Sequence, residues 1–264
     1  MFAYIRPTQT INQMKRKLFT EDEIPYGTLA RFGLTREMIH DLPKEITDDM
    51  MDGHRTPALP ISYLNQDTGN TVRCRTRLAL TRKPDGHVDV VFFPELEDCD
   101  MSGFSEKDRE SLGKGKVIMT DYTMSIGQTV KAYVQLDREL NQVVAVPTPV
   151  IGRNLQVCAE NLGLDADDLR CIQHGATVSM IMGEGVVTMG LDLNSRSGIR
   201  FCNGDTEKWN REAGRIGARY NFGINGCWVQ GDDGRLEYVP EDKYTDEIIR
   251  SRSSEIRESA GIRR

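Results

Sequence analysis

The segment from Phe104 to Val146 occurs a second time, beginning at Leu164, and a chain that repeats a short unit is restricted to architectures in which small copies stack on one another. An offset of 60 residues pairs Phe104 with Leu164, Ser105 with Asp165, Asp108 with Asp168, Leu112 with Ile172 and Gly115 with Gly175. The pairing is chemical as well as numerical. Ser105 and Asp165 are good helix N-caps, and Asp108 and Asp168 fall at the third helical position, where an acid meets exposed N–H groups. Leu112 and Ile172 supply the buried side of each helix, and each glycine suits a left-handed stop. Two apolar strands follow. By their end the offset has dropped to 55, pairing Leu136-Asp137 with Leu191-Asp192. The missing residues belong to the hairpin loop, where Gly183-Glu184-Gly185 replaces the longer run from Tyr122 to Gly127, and loops tolerate such deletions where strands do not. A weaker copy lies upstream, with Met50 three residues before Gly53 as Leu112 stands before Gly115. None of the three units is large enough to be stable alone, so they are expected to pack on one another.

Ahead of the repeats, Thr20 and Glu23 form a capping box, with Phe19 placed to staple onto Ile24. Gly33 closes that helical segment, Leu34-Thr35 opens another and Pro43 starts a third that Gly53 ends. Pro57 and Pro60 then force an extended crossing. Pro84-Asp85-Gly86 is a hairpin turn that pairs residues whose numbers sum to about 170, which puts Val72, Cys74, Leu78, Leu80, Val88, Val90 and Phe92 on one face. The expected fold class is α+β: serial small modules, each a short helix followed by an antiparallel β-hairpin or meander, with a helical N-terminal third. The expected divisions are a basic arm at 1–18, a helical plus β-hairpin module at 19–100, the first helix-hairpin repeat at 101–152, the second with an aromatic-rich hairpin at 153–242, and a charged C-terminal helix at 243–264.

An apolar content of 38% suffices for a packed core, and no window approaches the ~18 uninterrupted apolar residues needed to cross a bilayer. Without an apolar signal core either, the expected residence is the cytoplasm. The cysteines at 74, 99, 158, 171, 202 and 227 are scattered, with no Cys-x-x-Cys pair and no histidine at finger spacing, so they read as buried, reduced thiols. Residues 1 to 20 hold Arg6, Lys15, Arg16 and Lys17 and no acid, which leaves the remainder at −10 against −6 for the whole chain. A basic arm on an acidic body is a charge asymmetry, with Lys15, Arg16 and Lys17 either contacting an acidic partner or merely solubilising the arm.

Opposite the apolar face of the first hairpin strand stand Arg73, Arg75 and Arg77. Alternate strand residues lie about 6.6 Å apart, close to the phosphate spacing of an extended nucleic-acid strand, and guanidinium is the group best shaped to grip phosphate. The competing reading is a row of arginines protecting the solvent face of an edge strand. The Tyr220 to Val229 segment and the turn at Asp232-Asp233-Gly234 make the densest aromatic stretch, which either stacks bases or, as aromatics among glycines more often do, closes a small core. Catalytic chemistry is sparse. Gly113-Lys114-Gly115-Lys116 lacks the frame of a phosphate-binding loop and reads as a helix stop. Asp137 and Asp192 sit at matching strand ends and are expected to cap the turns that follow. His40, His54, His87 and His174 have no nearby His or Cys partner in sequence, so no metal, cofactor or catalytic residue is expected.

The run Leu42-Pro43 through Gly53-His54-Arg55-Thr56-Pro57 with Leu59-Pro60, then Val134-Gln135-Leu136-Asp137 and Val146-Pro147-Thr148-Pro149-Val150-Ile151-Gly152, resembles an uncharacterised family of Bacteroidetes proteins of unknown function. The Tyr220 to Trp228 segment and Tyr238-Val239-Pro240-Glu241 resemble it too. Such proteins are often carried on conjugative or other mobile elements, so the resemblance implies a setting near DNA-processing genes and no catalytic residues. The functional expectation is a non-catalytic accessory protein that binds nucleic acid, or an enzyme that processes it, through Arg73, Arg75, Arg77 and the basic arm. The alternative is a protein–protein adaptor whose modules offer sheet edges or grooves and whose acidic body suits a basic partner.

Overall fold

The computed structural model describes residues 17–124, 127–213 and 218–259, so Lys15 and Arg16 lie outside the described residues. At the N-terminal end the Thr20 capping box is present, but it opens a single 3₁₀ turn over Glu21–Glu23. Helices α1 (Tyr26–Arg31), α2 (Arg36–His40) and α3 (Lys44–Met51) follow, each stopped within a turn or two. Strands begin at Leu59, so the helical part is shorter than a third of the chain. Pro57 and Pro60 account for the early end: neither can continue a helix, and both favour extended backbone before them.

Four three-stranded antiparallel sheets make up the rest. The first contains β1 (Leu59–Leu64), β2 (Thr71–Arg82) and β3 (Val88–Pro94). Its hairpin register is the expected one, with Leu78 opposite Phe92 and Leu80 opposite Val90 around Gly86. Helix α4 (Glu106–Gly113) precedes β4 (Ile118–Thr123), β5 (Thr129–Asp137) and β6 (Gln142–Pro147). A longer connector, α5 (Thr148–Leu162), leads to α6 (Ala166–Gln173) and the third sheet: β7 (Val178–Met182), β8 (Gly185–Leu191) and β9 (Ile199–Asn203). Short α7 (Thr206–Arg211) then leads to β10 (Tyr220–Phe222), β11 (Gly226–Gln230) and β12 (Leu236–Pro240), and α8 (Asp246–Ser259) ends the described chain. The aromatic stretch thus builds a fourth sheet of its own, in which Trp228 is buried in a core and Tyr220 and Phe222 are half-buried.

The repeat is physical. Ser105 and Asp165 accept backbone hydrogen bonds from Asp108 and Asp168, as N-caps do. Gly53, Gly115 and Gly175 share φ values of +79°, +75° and +78°, and in each case the next residue bonds back to a carbonyl five residues earlier. That is one helix ending used three times, and only glycine adopts it without strain. Met50, Leu112 and Ile172, three residues before each glycine, are all 0% exposed. Ile118 pairs with Val134 in the second sheet and Val178 with Met189 in the third, preserving the offsets of 60 and 55.

The cores join the modules. Leu29, Leu34, Ile39, Met50 and Leu78 of the first module share one cluster with Trp228 and Leu236 of the fourth sheet. Val117, Tyr133 and Val144 of the second module pack with Ile172, Met189 and Leu191 of the third. Gln135 stitches the same pair, donating to the Gly115 carbonyl at 3.2 Å and accepting from the Leu193 N–H at 2.7 Å. Arg196 returns from the third module to Asp49 (2.9 Å) and Asp52 on α3.

Candidate functional site at the seam between the chain ends

The arginine row is divided by its surroundings. Arg73 is exposed, whereas Arg75 and Arg77 are 5% and 9% exposed. Strand β2 is the central strand of its sheet, not an edge, and beyond Arg73 its far face is covered by the turn after β5 and by β12. Arg77 Nε donates to Asp137 Oδ2 at 2.6 Å, while its Nη2 reaches Asp137 Oδ1 and Glu139 Oε2, each at 3.3 Å. Arg75 Nη2 donates to the carbonyls of Ala58 (2.9 Å) and Leu236 (3.1 Å), and Nη1 to Glu237 at 3.2 Å. Two guanidiniums that a strand pattern would offer to solvent thus clamp three modules together, because buried arginine is stable only when paired. Burial raises the Glu139 carboxyl above its ordinary value, and the Arg77 and Arg75 charges oppose that rise. Of the arm's lysines, Lys17 is described and pairs with Asp48 at 2.6 Å.

Asp137 and Asp192 cap their turns, accepting from the Glu139 and Asn194 N–H groups, and each is also held by an arginine, Arg77 and Arg200 respectively. Both are structural acids in separate sheets. Burial raises the thiols of Cys74, Cys99, Cys158 and Cys202, and pushes that of Cys227 up to about 11, which suppresses thiolate reactivity. Only Cys202 and Cys227 are buried as expected; Cys74, Cys99 and Cys158 are half-buried, and Cys171 on α6 is exposed. Among the described residues no group of His, Cys, Asp and Glu is arranged to hold a metal ion, and no helix is long and apolar enough to cross a membrane.

The most built arrangement of polar groups lies where the N-terminal helices meet the fourth sheet. Asp41, at the C-terminal end of α2, is 4% exposed. It accepts hydrogen bonds from the N–H of Ile224 (2.7 Å), the N–H of Asn225 (3.0 Å) and the Tyr238 hydroxyl (2.6 Å). Burial, with Asp41 beside it, raises the Tyr238 hydroxyl well above its usual value. Next to Asp41, Trp228 Nε1 donates to the Met38 carbonyl at 3.0 Å and the ring is fully buried. The β10–β11 loop is thereby pinned at fixed height against α2, and a Cβ added at Gly223 would overlap the Asp41 carboxyl. The sequence marked the aromatics and glycines of this loop but not Asp41, whose partners are more than 180 residues away.

Beside this pin opens a groove of about 300 Å³, lined by Leu42, Pro43, Glu45, Phe222, Ile224 and Glu255 among others. Ile224 stands at its mouth with 83% of its surface exposed, although the backbone N–H of the same residue is fixed by Asp41. A small, open, largely polar-walled groove accommodates a side chain or a turn of polypeptide better than a cofactor. No curated protein and no solved structure matches the chain. Residues 19–98, which carry one wall of this groove together with Arg73, Arg75 and Arg77, are similar to a family described as a protein of unknown function (DUF4099).

Proposed function

We propose that this chain is a non-catalytic cytoplasmic adaptor that docks another protein at the seam groove, in the mobile-element setting that its family resemblance implies. The observation that carries the reading is Ile224: an almost fully exposed branched aliphatic side chain, held on a backbone that Asp41 fixes from below. Exposed apolar groups on rigid supports serve as interface anchors because little ordering entropy is lost on contact. Leu42, Pro43 and Phe222 line the groove beside it and suit an apolar anchor, while Lys44, Glu45 and Glu255 offer charges of both signs to the residues around that anchor. The test is purification of the tagged chain at native expression, with and without nuclease, for the wild type and for Ile224→Asp. A stoichiometric protein partner that survives nuclease and is lost with Ile224→Asp supports the adaptor. A partner removed by nuclease, or retained by the variant, overturns it.

Direct nucleic-acid contact is the second reading, and it now rests on Arg73, which remains exposed, and on the basic arm. Fluorescence anisotropy with single- and double-stranded oligonucleotides across a salt series separates the two, since phosphate contacts weaken steeply as salt rises.

A further inference from the structure

Each three-stranded sheet has one central strand, so among the described residues eight of the twelve strands are edges. An edge strand presents unpaired N–H and C=O groups, and proteins blunt that hazard with charge, proline or a short strand. Strands β1, β6 and β12 contain Pro60, Pro147 and Pro240; β3 contains Asp89 and Pro94; β4 contains Asp121; β9 contains Arg200. Strand β10 has only three residues and is packed against α8. Strand β7 is five residues long, Val178-Ser179-Met180-Ile181-Met182, and has neither charge nor proline.

The internal repeat provides a control for that omission. In the second module Asp121 lies directly across from Lys131, a charged pair on a solvent face. The offsets of 60 and 55 map these residues onto Ile181 and Val186, which lie across from each other in the third module. The apolar pair has gained no cover: Ile181 is 83% exposed and Val186 42%. The backbone is equally open. Met182 and Gly185 flank the two-residue turn and form its hydrogen-bonded pair, so alternation directs the groups of Met180 and Val178 towards β8 and those of Ser179 and Ile181 outwards. Among the described residues no backbone hydrogen bond outside the β7–β8 ladder involves Ser179 or Ile181.

We propose that β7 pairs with β7 of a second copy of this chain, antiparallel about a two-fold axis through Met180, joining two sheets of three strands into one of six. The strand's own sequence selects this occupant. Reflected about Met180, Val178 meets the partner's Met182 and Met180 meets itself, so apolar side chains oppose one another on one face, while Ser179 meets the partner's Ile181 on the other. Two copies of a chain with net charge −6 repel each other wherever acids meet, and β7 is a neutral strip along which they need not. Glu184, at the hairpin tip, falls opposite the partner's Ala176, away from its counterpart. This surface is separate from the seam groove, and the proposal stands without the adaptor reading.

The test is sedimentation equilibrium of the purified chain across the micromolar range, for the wild type and for Ile181→Lys, with a disulfide probe alongside. The expected result is a reversible dimer whose dissociation constant rises by about tenfold or more in Ile181→Lys, with an unchanged circular dichroism spectrum. The second module carries a charged side chain, Asp121, at the equivalent exposed position, so loss of fold is not the expected cause. In a Cys171→Ser background, Met180→Cys should form a disulfide-linked dimer on mild oxidation and Ser179→Cys should do so much less, as a two-fold axis at position 180 requires. A chain that is monomeric at every concentration, or a dimer indifferent to Ile181→Lys, overturns the proposal.

Discussion

Gly175 and Gly86 hold nearly the same left-handed backbone, φ +78° and +87°, in different surroundings. A Cβ at Gly86 would meet open space, whereas at Gly175 it would overlap the carbonyl oxygen of Val117 in the preceding module. Gly86→Ala should therefore cost only the conformational penalty, about 1–2 kcal/mol, and Gly175→Ala clearly more; urea denaturation of the two variants checks the order. Asp41 is the other decisive residue. Tyr238→Phe removes one of its hydrogen bonds and should cost about 1–2 kcal/mol, while Asp41→Ala strands two backbone donors and a hydroxyl and should cost more than twice as much. Equal costs for these two variants would show that Asp41 does not pin the loop. At this scale the sequence revealed residues whose job is local, such as the helix-stopping glycines and the N-caps. It could not reveal Val117 behind Gly175 or the loop above Asp41, because those neighbours are brought in by other modules.

Among the elements, β2 shows where periodicity reaches its limit. Alternation correctly separates Arg73, Arg75 and Arg77 from the apolar face, but what covers that second face is set by β12 and by the turn after β5. Removing one member of the clamp leaves a buried charge, so Arg77→Ala should destabilise the protein by about 3–5 kcal/mol. The Arg77→Met, Asp137→Leu double variant should lose less, and a double-mutant cycle by thermal unfolding measures the difference. Glu139 carries a pH consequence. Its carboxyl is raised by burial, so the folded state holds that proton more tightly than the unfolded chain does. Stability from this group is intact below the ordinary value of 4.5 and declines as pH rises through the folded value. Across that interval the wild type should lose stability relative to Glu139→Gln, and parallel pH curves for the two would remove Glu139 as the cause. The short helices and the first hairpin were legible because caps, stops and turn residues are local signals. The hairpin of the fourth sheet was legible too, from its Asp232-Asp233-Gly234 turn, but its packing on helices at the other end of the chain was not, since no local signal records that partner surface.

For the molecule as a whole, the segment resembling a known family shares its core with the fourth sheet, so by itself it is expected to fall short of a complete folding unit. A fragment of residues 19–98 lacks Trp228 and Leu236, both buried against its helices. It should show poorly dispersed amide resonances, whereas the intact chain should unfold in one transition with tryptophan fluorescence and helical circular dichroism changing together. A well-dispersed spectrum from the fragment would show that the seam is dispensable. The same closure sets a timetable for biosynthesis. About 130 residues separate the end of that segment from Trp228, so at roughly 5–20 residues per second the nascent helices wait about 7 to 26 seconds, greasy side outward, for the tryptophan that covers them. Through that interval the apolar faces of the early segment stay open to other nascent chains, and slowing translation just before the final hairpin would lengthen the exposure.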